Sequence, residues 1–594
     1  MMMAMTSSTP LWKRPMFWLV FLAVASVTSL FFYHWRIGYN SDSAMIGLMA
    51  KSILERGERP IFVWSVGYQG MLLEGYAVAL CFKLFGINPW VLNIWNTICL
   101  WSVFTLFYWC VKRCTDISTA LLSVLLLAVS ATSFYTLVMR TQPNYTETCF
   151  FGLVLIALSQ VFVRHFYLKG AGPDRRTMLC ALGFGLVGGF GAYTYGQIYY
   201  FFAAIGFQWL LIYVRDIRCA GREAYTGLRQ HPMLRWGVWC FVVLFVFGVL
   251  CWITDFHRVN LIGIRLRWRP LSLMGLSAVV FAVCAAHDVW VRHGNRIREL
   301  WREAVVVTAG FLAGYSPALV YIWIQHGTQV PRMGLTETFE FFKNIKIALF
   351  FAPSFLNLST GSVMGLALVV AVSFVLLSFI YLTCREAVRF TQGRSEANTI
   401  LKLNPLVLLP WMVLPMFLVA KAVVDQCSAR YLLVLIFYSA VAMSVVVLWL
   451  LRRGGALRIL GVLFLVSFLS NNVISLGKAL QTSQHAKFEG ECVIPILKEF
   501  NLKYGYADYW HAYAVMFFTN EDFILEPIYS NYSPHYGPLV KAQRRVVYLD
   551  RDPPRFVPTV DGIVEIYGIP YRVINSRRSD GLVVYVIEKL VDGA

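Results

Sequence analysis

YNSDSAMIGLMAKSILERGERPIFVWSVGYQGMLLEGYAVALCFKLFG, residues 39–86, decides the fold. It follows an apolar run over 17–33 that is long enough to cross a membrane. An acid, Asp42, stands just past that run. Met45, Leu48, Met49 and Ile53 then recur at helical spacing, opposite Lys51, Glu55 and Arg56. This spacing predicts an amphipathic helix, with Gly57 as its stop and Pro60 blocking continuation. A second helix is predicted over 68–85, apolar except for Tyr68, Gln69, Glu74, Tyr76 and Lys83. Two interfacial helices at a membrane exit, each carrying an acid, can build a polar site at the lipid surface.

The remaining composition sets the class. Of 594 residues, 58% are hydrophobic and only 14% charged, more apolar surface than a soluble chain can hide. A polytopic α-helical membrane protein is the expectation. The formal charge of +20 comes from Lys and Arg in short loops between apolar runs, where the positive-inside rule places them. They form no separate basic domain, so no nucleic-acid partner is expected. The 13 cysteines show no CxxC pair and no metal-ligand spacing, and read as small apolar residues. Cys427 and Cys492 fall in segments expected outside, where they could pair. No cofactor is expected. A divalent cation is compatible with the sequence, but no tight cluster of acids indicates one.

Lys13 and Arg14 precede the first run, which puts them inside and Asp42 outside. Further spans are expected near 90–110, 120–139, 149–164, 178–193, 198–213, 236–254, 271–291, 304–324, 362–383, 403–422, 431–450 and 457–476, about thirteen in all. The exit after 139 reads MRTQPNYTET and places Arg140 and Glu147 on the side of Asp42. The segment DFHRVNLIGIRLRWRP breaks the charge rule, because it should be external yet carries Arg258, Arg265, Arg267 and Arg269. Arg265, Arg267 and Arg269 alternate as on one face of a strand. Either the span count is off by one, or these arginines meet an anion such as lipid headgroups or a donor phosphate. The external segment 326–360 reads as a packed surface loop or a lid. Residues 1–484 form the membrane domain, with a first external loop over 34–89. Residues 485–594, richer in Asp, Glu, Tyr and Pro, form a small external α/β domain. It is expected to open with a helical stretch to about 520 and close with the strands RRVVYLD, GIVEIYG, YRVINS and LVVYVIE.

Asp42, Gly57, Pro60, Tyr68-Gln69-Gly70, Leu73-Glu74, Tyr76 and Phe85-Gly86 together resemble the first external loop of polyprenyl-phosphate-sugar-dependent glycosyltransferases of the C-type membrane fold. These include protein O-mannosyltransferases and the lipid A aminoarabinose transferase. Ser43 stands where most such enzymes carry a second acid. The resemblance implies a lipid-phosphate sugar donor and a lipid, glycan or protein acceptor. It implies Asp42 as catalytic base with inversion at the sugar carbon, and Glu147 as the acid of the second external loop. It also matches Arg430, which opens RYLL at the mouth of a late span, to a phosphate-binding position. A bacterial inner membrane, with the site on the external face, follows from the style of the loops.

Transfer of a sugar from a lipid phosphate needs a base for the acceptor hydroxyl and donors that steady the departing phosphate. Asp42 at a helix start reads either as that base or as an N-cap. Glu147 reads as an acceptor-orienting acid or as a charge at span entry. Glu74, in an otherwise apolar helix, needs a partner such as Arg140 or Lys83. Arg140, Lys421 and Arg430 are the cationic candidates; each could equally snorkel to headgroups. Tyr68, Gln69 and Tyr76 can hold sugar or anchor the helix. The run YGYADYWHAY, with Asp508 and His511, suits sugar binding, a domain core or a docking face. Two rivals remain: a transporter or flippase of lipid-linked sugars, and a non-catalytic scaffold indifferent to Asp42→Asn.

Overall fold

A computed structural model describes residues 15–33, 39–64, 66–130, 132–141, 144–168, 174–219, 258–261, 264–267, 303–321, 363–418, 430–484, 488, 490–528, 535–551 and 562–590. The membrane part is built from α1 (Pro15–Tyr33), α2 (Ser41–Glu55), β1 (Phe62–Val63), β2 (Val66–Gly70), α3 (Glu74–Phe85), α4 (Leu92–Cys114), α5 (Ile117–Ala128), α6 (Thr132–Val138), α7 (Tyr145–Phe162), α8 (Arg175–Thr194) and α9 (Ile198–Cys219). There follow the strands β3 (Arg258–Leu261) and β4 (Ile264–Arg267), then α10 (Glu303–Tyr321), α11 (Val363–Thr391), α12 (Pro405–Leu418), α13 (Leu435–Arg453) and α14 (Gly455–Gln484).

Among the described residues nine helices are long and apolar enough to span: α1, α4, α7, α8, α9, α10, α11, α13 and α14. The protein is thus a polytopic α-helical membrane protein. α5 and α6 make a tenth candidate, bent by 83°. α12 is shorter and carries Pro410 and Pro415 inside it, each of which removes a helical hydrogen bond. The spans expected at 236–254 and 271–291, and the loop at 326–360, lie outside the described residues. α8 and α10 cross without side chains between them. A Cβ on Gly185 or Gly189 would lie 2.2 or 2.0 Å from a backbone oxygen of α10, and one on Gly314 would lie 2.3 Å from the Leu186 oxygen. Small residues four apart on both helices permit that approach.

The stretch expected to form the first external loop differs from the expectation in one respect. Residues 66–70 form β2, antiparallel to β1, so the second helix begins only at Glu74. The cause is a backbone clamp. The Tyr193 hydroxyl, at the end of α8, accepts from the Met71 and Leu72 N–H groups at 3.1 and 3.3 Å and donates to the Ile61 carbonyl. Gly70 passes so close that a Cβ there would meet the Tyr193 ring at 2.6 Å. Tertiary contact overrides the helical pattern of 68–73.

The C-terminal part carries α15 (Ile494–Phe500), β5 (Tyr504–Ala507), α16 (Tyr509–Phe518), β6 (Ile524–Pro527), α17 (Tyr536–Lys541), β7 (Arg545–Arg551), β8 (Ile563–Ile566), β9 (Ile569–Ser579) and β10 (Leu582–Lys589). The six strands form one sheet in the order β6-β5-β7-β10-β9-β8. β5 is parallel to both β6 and β7, and the remaining pairs are antiparallel. The last four strands are the strand-like runs of the sequence. β5 was hidden in the stretch expected to be helical.

α16 is the crossover from β5 to parallel β6, and it is buried on two faces. One packs on the sheet and the other on α2. Ala44, Met45, Leu48 and Met49 of α2 share one apolar core with Tyr513, Val515, Met516 and Phe517 of α16 and with Val546, Val547 and Val584 of the sheet. Burying a residue such as Phe517 contributes about 1.5–3 kcal/mol. α2 therefore does not lie open on the lipid surface; Ser41 and 43–52 are all buried.

Candidate functional site

α2 starts where Asn40 caps it: the Asn40 side-chain oxygen accepts from the Ser43 N–H at 3.3 Å. The capping role that Asp42 might have filled is thus occupied by its neighbour. Asp42 instead turns its half-buried carboxylate to other partners. Its Oδ1 accepts the Tyr509 hydroxyl from α16, and its Oδ2 lies 3.5 Å from Asn40 Nδ2. Position in the first turn also favours an anion, through the partial positive charge of the helix N-terminus.

Tyr145 links this acid to a cation. It opens α7, is 1% exposed, and sets its ring edge-on against Tyr195 at 5.6 Å. Both the Asp42 carboxylate and the Arg430 guanidinium lie within electrostatic reach of its hydroxyl. Arg430 stacks on the Tyr431 ring at 5.2 Å, and its Nη2 is 3.4 Å from the Tyr431 hydroxyl. Its backbone oxygen accepts from Gln197 Nε2 at 3.3 Å. Among the described residues its buried Nε has no hydrogen-bond partner. A fixed guanidinium edge with donors to spare suits a phosphate oxygen.

Asn144 sets the start of α7. It adopts the left-handed conformation at φ 49°, and its amide donates to the Gly70 and Thr194 carbonyls at 3.0 and 3.2 Å. The ends of β2, α7 and α8 are held at one point by that side chain.

The other two acids form a second cluster. Glu147, in the first turn of α7, is 1% exposed and accepts from Trp95 Nε1 at 2.6 Å. Glu74, in the first turn of α3, is equally buried and lies near Glu147 and Asn96. Burial first, and the neighbouring Glu147 charge second, raise the Glu74 carboxyl well above the usual carboxylate range. Its neighbours are therefore Asn96 and Glu147, and Lys83 lies exposed at the far end of the same helix.

Tyr76 is half-buried and feels the charge of Arg59. Arg140 is half-buried just past α6. Tyr68 and Gln69 lie on β2, and their side chains fall outside the described residues. So do Arg269, Lys421 and Cys427, and the side chains of Arg265 and Arg267. The backbone register of the β3–β4 hairpin sets Arg258 across from Arg267 and Asn260 across from Arg265. Among the described residues no group of three or more His, Cys, Asp or Glu is placed to hold a metal ion.

Tyr145, Tyr195, Tyr431 and Tyr509 escape a reading of the sequence alone. Tyr431 and Tyr509 each lie within a marked feature, RYLL and the aromatic run, but nothing local says which ring meets which charge.

No protein-family model matches the chain, and no curated protein matches it. Among solved structures the chain is similar to the archaeal oligosaccharyltransferase AglB from Archaeoglobus fulgidus in complex with an inhibitory peptide and a dolichol-phosphate. That similarity has 14% identity and a TM-score of 0.47, over 89% of this chain and 69% of that one. It is similar to ArnT from Cupriavidus metallidurans bound to undecaprenyl phosphate, at 12% identity and a TM-score of 0.44, over 96% of this chain and 98% of that one. The apo form of ArnT scores 0.34 at 11% identity.

Proposed function

We propose that the protein is a membrane glycosyltransferase that moves a sugar from a polyprenyl-phosphate donor to a lipid, glycan or protein acceptor. The acceptor hydroxyl gives its proton to Asp42 as its oxygen forms a bond to the sugar's anomeric carbon. The bond from that carbon to the phosphate oxygen breaks, and polyprenyl phosphate leaves with the electron pair. Phosphate is a weak base, so its departure needs no acid; it needs cations. Arg430, steadied on Tyr431, meets that need, and the arginines of the β3–β4 hairpin are further phosphate ligands. Like charges directly opposite on two strands are unfavourable unless an anion sits between them, and Arg258 and Arg267 are so placed. A direct displacement of this kind inverts the sugar carbon. Glu147 orients the acceptor from the neighbouring cluster.

The observation that carries this reading is Asp42 itself. It is a carboxylate beside a cap that Asn40 fills, it accepts from Tyr509 and Asn40, and both it and Arg430 lie within electrostatic reach of Tyr145. The site belongs at the external face of a bacterial inner membrane, with the C-terminal sheet domain on the same side. Support comes from Lys13 and Arg14 ahead of α1, and from the basic loops of the opposite side.

Mass spectrometry of lipids and glycans tests it, on cells carrying the wild-type gene, no gene, or Asp42→Asn. A mass increment of one sugar, present with wild type and lost in the other two, is expected. Full product from Asp42→Asn would overturn it.

A further inference from the structure

We infer that Tyr509 is a positioning residue for Asp42, so that the C-terminal sheet domain is a working part of the transfer site. The inference rests on the reading of Asp42 as base and adds to it a group from the far end of the chain.

The placement of Tyr509 is built in three steps. Asp508 caps α16, accepting from the His511 N–H at 3.1 Å and from His511 Nδ1 at 2.5 Å, while Arg551 approaches its other oxygen at 3.4 Å. Tyr509 thereby becomes the first helical residue, with its ring wedged edge-on between Trp510 at 5.2 Å and Tyr513 at 5.5 Å. The whole helix is then locked to α2. Ser41 Oγ donates to the Trp510 carbonyl at 2.5 Å, and Lys51 reaches Glu521 at 2.7 Å and Asn520 Oδ1 at 2.8 Å. Arg56 pairs with Glu521 at 2.8 Å, and the Phe517 ring fills the space left by Gly47.

The result is a phenol fixed at both ends of its support, donating to one oxygen of the catalytic carboxylate. A carboxylate has two oxygens, each able to accept two hydrogen bonds, and Tyr509 engages Oδ1. A base held within a narrow range of angles is worth more than one that swings. The docking does not depend on this hydroxyl. The charged pairs of Glu521 and the shared apolar core hold the two parts together without it.

Tyr509→Phe keeps the ring and removes the donor. For the purified full-length protein, turnover, KM for a synthetic polyprenyl-phosphate sugar, and melting temperature are measured beside Asp42→Asn and Glu521→Gln. A hydrogen bond to a charged group is worth roughly a ten- to hundredfold change; kcat of Tyr509→Phe should fall by about that range, with donor KM within about twofold and melting unchanged. Glu521→Gln should lower the melting temperature and so shows what loosened docking looks like. Wild-type kcat in Tyr509→Phe, or a loss of kcat that comes with a Glu521→Gln-like fall in melting, would overturn the inference while leaving Asp42 as base. Full turnover by Asp42→Asn would remove the base assignment instead, and the inference with it.

Discussion

Asp42 and Arg430 are far apart in sequence and lie in one electrostatic neighbourhood around Tyr145. If Arg430 carries donor phosphate, Arg430→Ala should raise donor KM by roughly 10–100-fold, with Arg430→Lys intermediate because an ammonium restores charge without the fork. Donor titration of turnover checks this; an unchanged KM would return Arg430 to a packing role. Glu74 offers a pH test. Its carboxyl is raised well above its ordinary value of 4.5 by burial and then by Glu147. The stability such a group contributes is fully present below the ordinary carboxylate pKa and is lost as pH rises through the raised one. The wild-type melting temperature should therefore decline with rising pH above about 4.5, and Glu74→Gln should flatten that decline. Melting curves across pH decide it, and a Gln variant with the wild-type slope would clear Glu74. At this scale the sequence shows which acids are unusual, since Asp42 and Glu147 both open helices. It does not show that Asn40 takes the cap or that Glu74 meets Glu147.

At the scale of elements, α2 is the hinge between the two halves of the chain. Its apolar spacing and its stop at Gly57, at φ +67°, are legible in the sequence. What covers it is not. Lys51, which by pattern belongs to a solvated face, is 7% exposed and paired with Glu521. That contact joins residues 470 positions apart, and no local period encodes it. The same holds for β5, whose run of aromatic residues fits helix or strand until the sheet selects one. Gly47 tests the docking. A Cβ there would stand 2.5 Å from the Phe517 ring, which is itself stacked on Phe82. Gly47→Val should destabilise the dock by about 1–3 kcal/mol through overpacking, seen as faster release of the C-terminal part under limited proteolysis. Proteolysis at the wild-type rate would show that α16 has room to shift.

The whole molecule joins a helical membrane part to a sheet that shares a core with α2. The membrane class and most span positions follow from apolar run length. The four late strands follow from short β-branched and aromatic runs, such as VVY and LVVYVI. The closeness of α8 and α10 depends on glycines four apart, a pattern visible in sequence only once the pairing is known. The catalytic reading needs both halves, because the loop supplies the acid and the sheet domain supplies the hydroxyl on it. The most direct measurement is release of free polyprenyl phosphate from polyprenyl-phosphate sugars by the purified full-length protein in lipid nanodiscs, with a mixed acceptor extract. Wild type should release it and Asp42→Asn should not; equal release by the two would contradict Asp42 as the base.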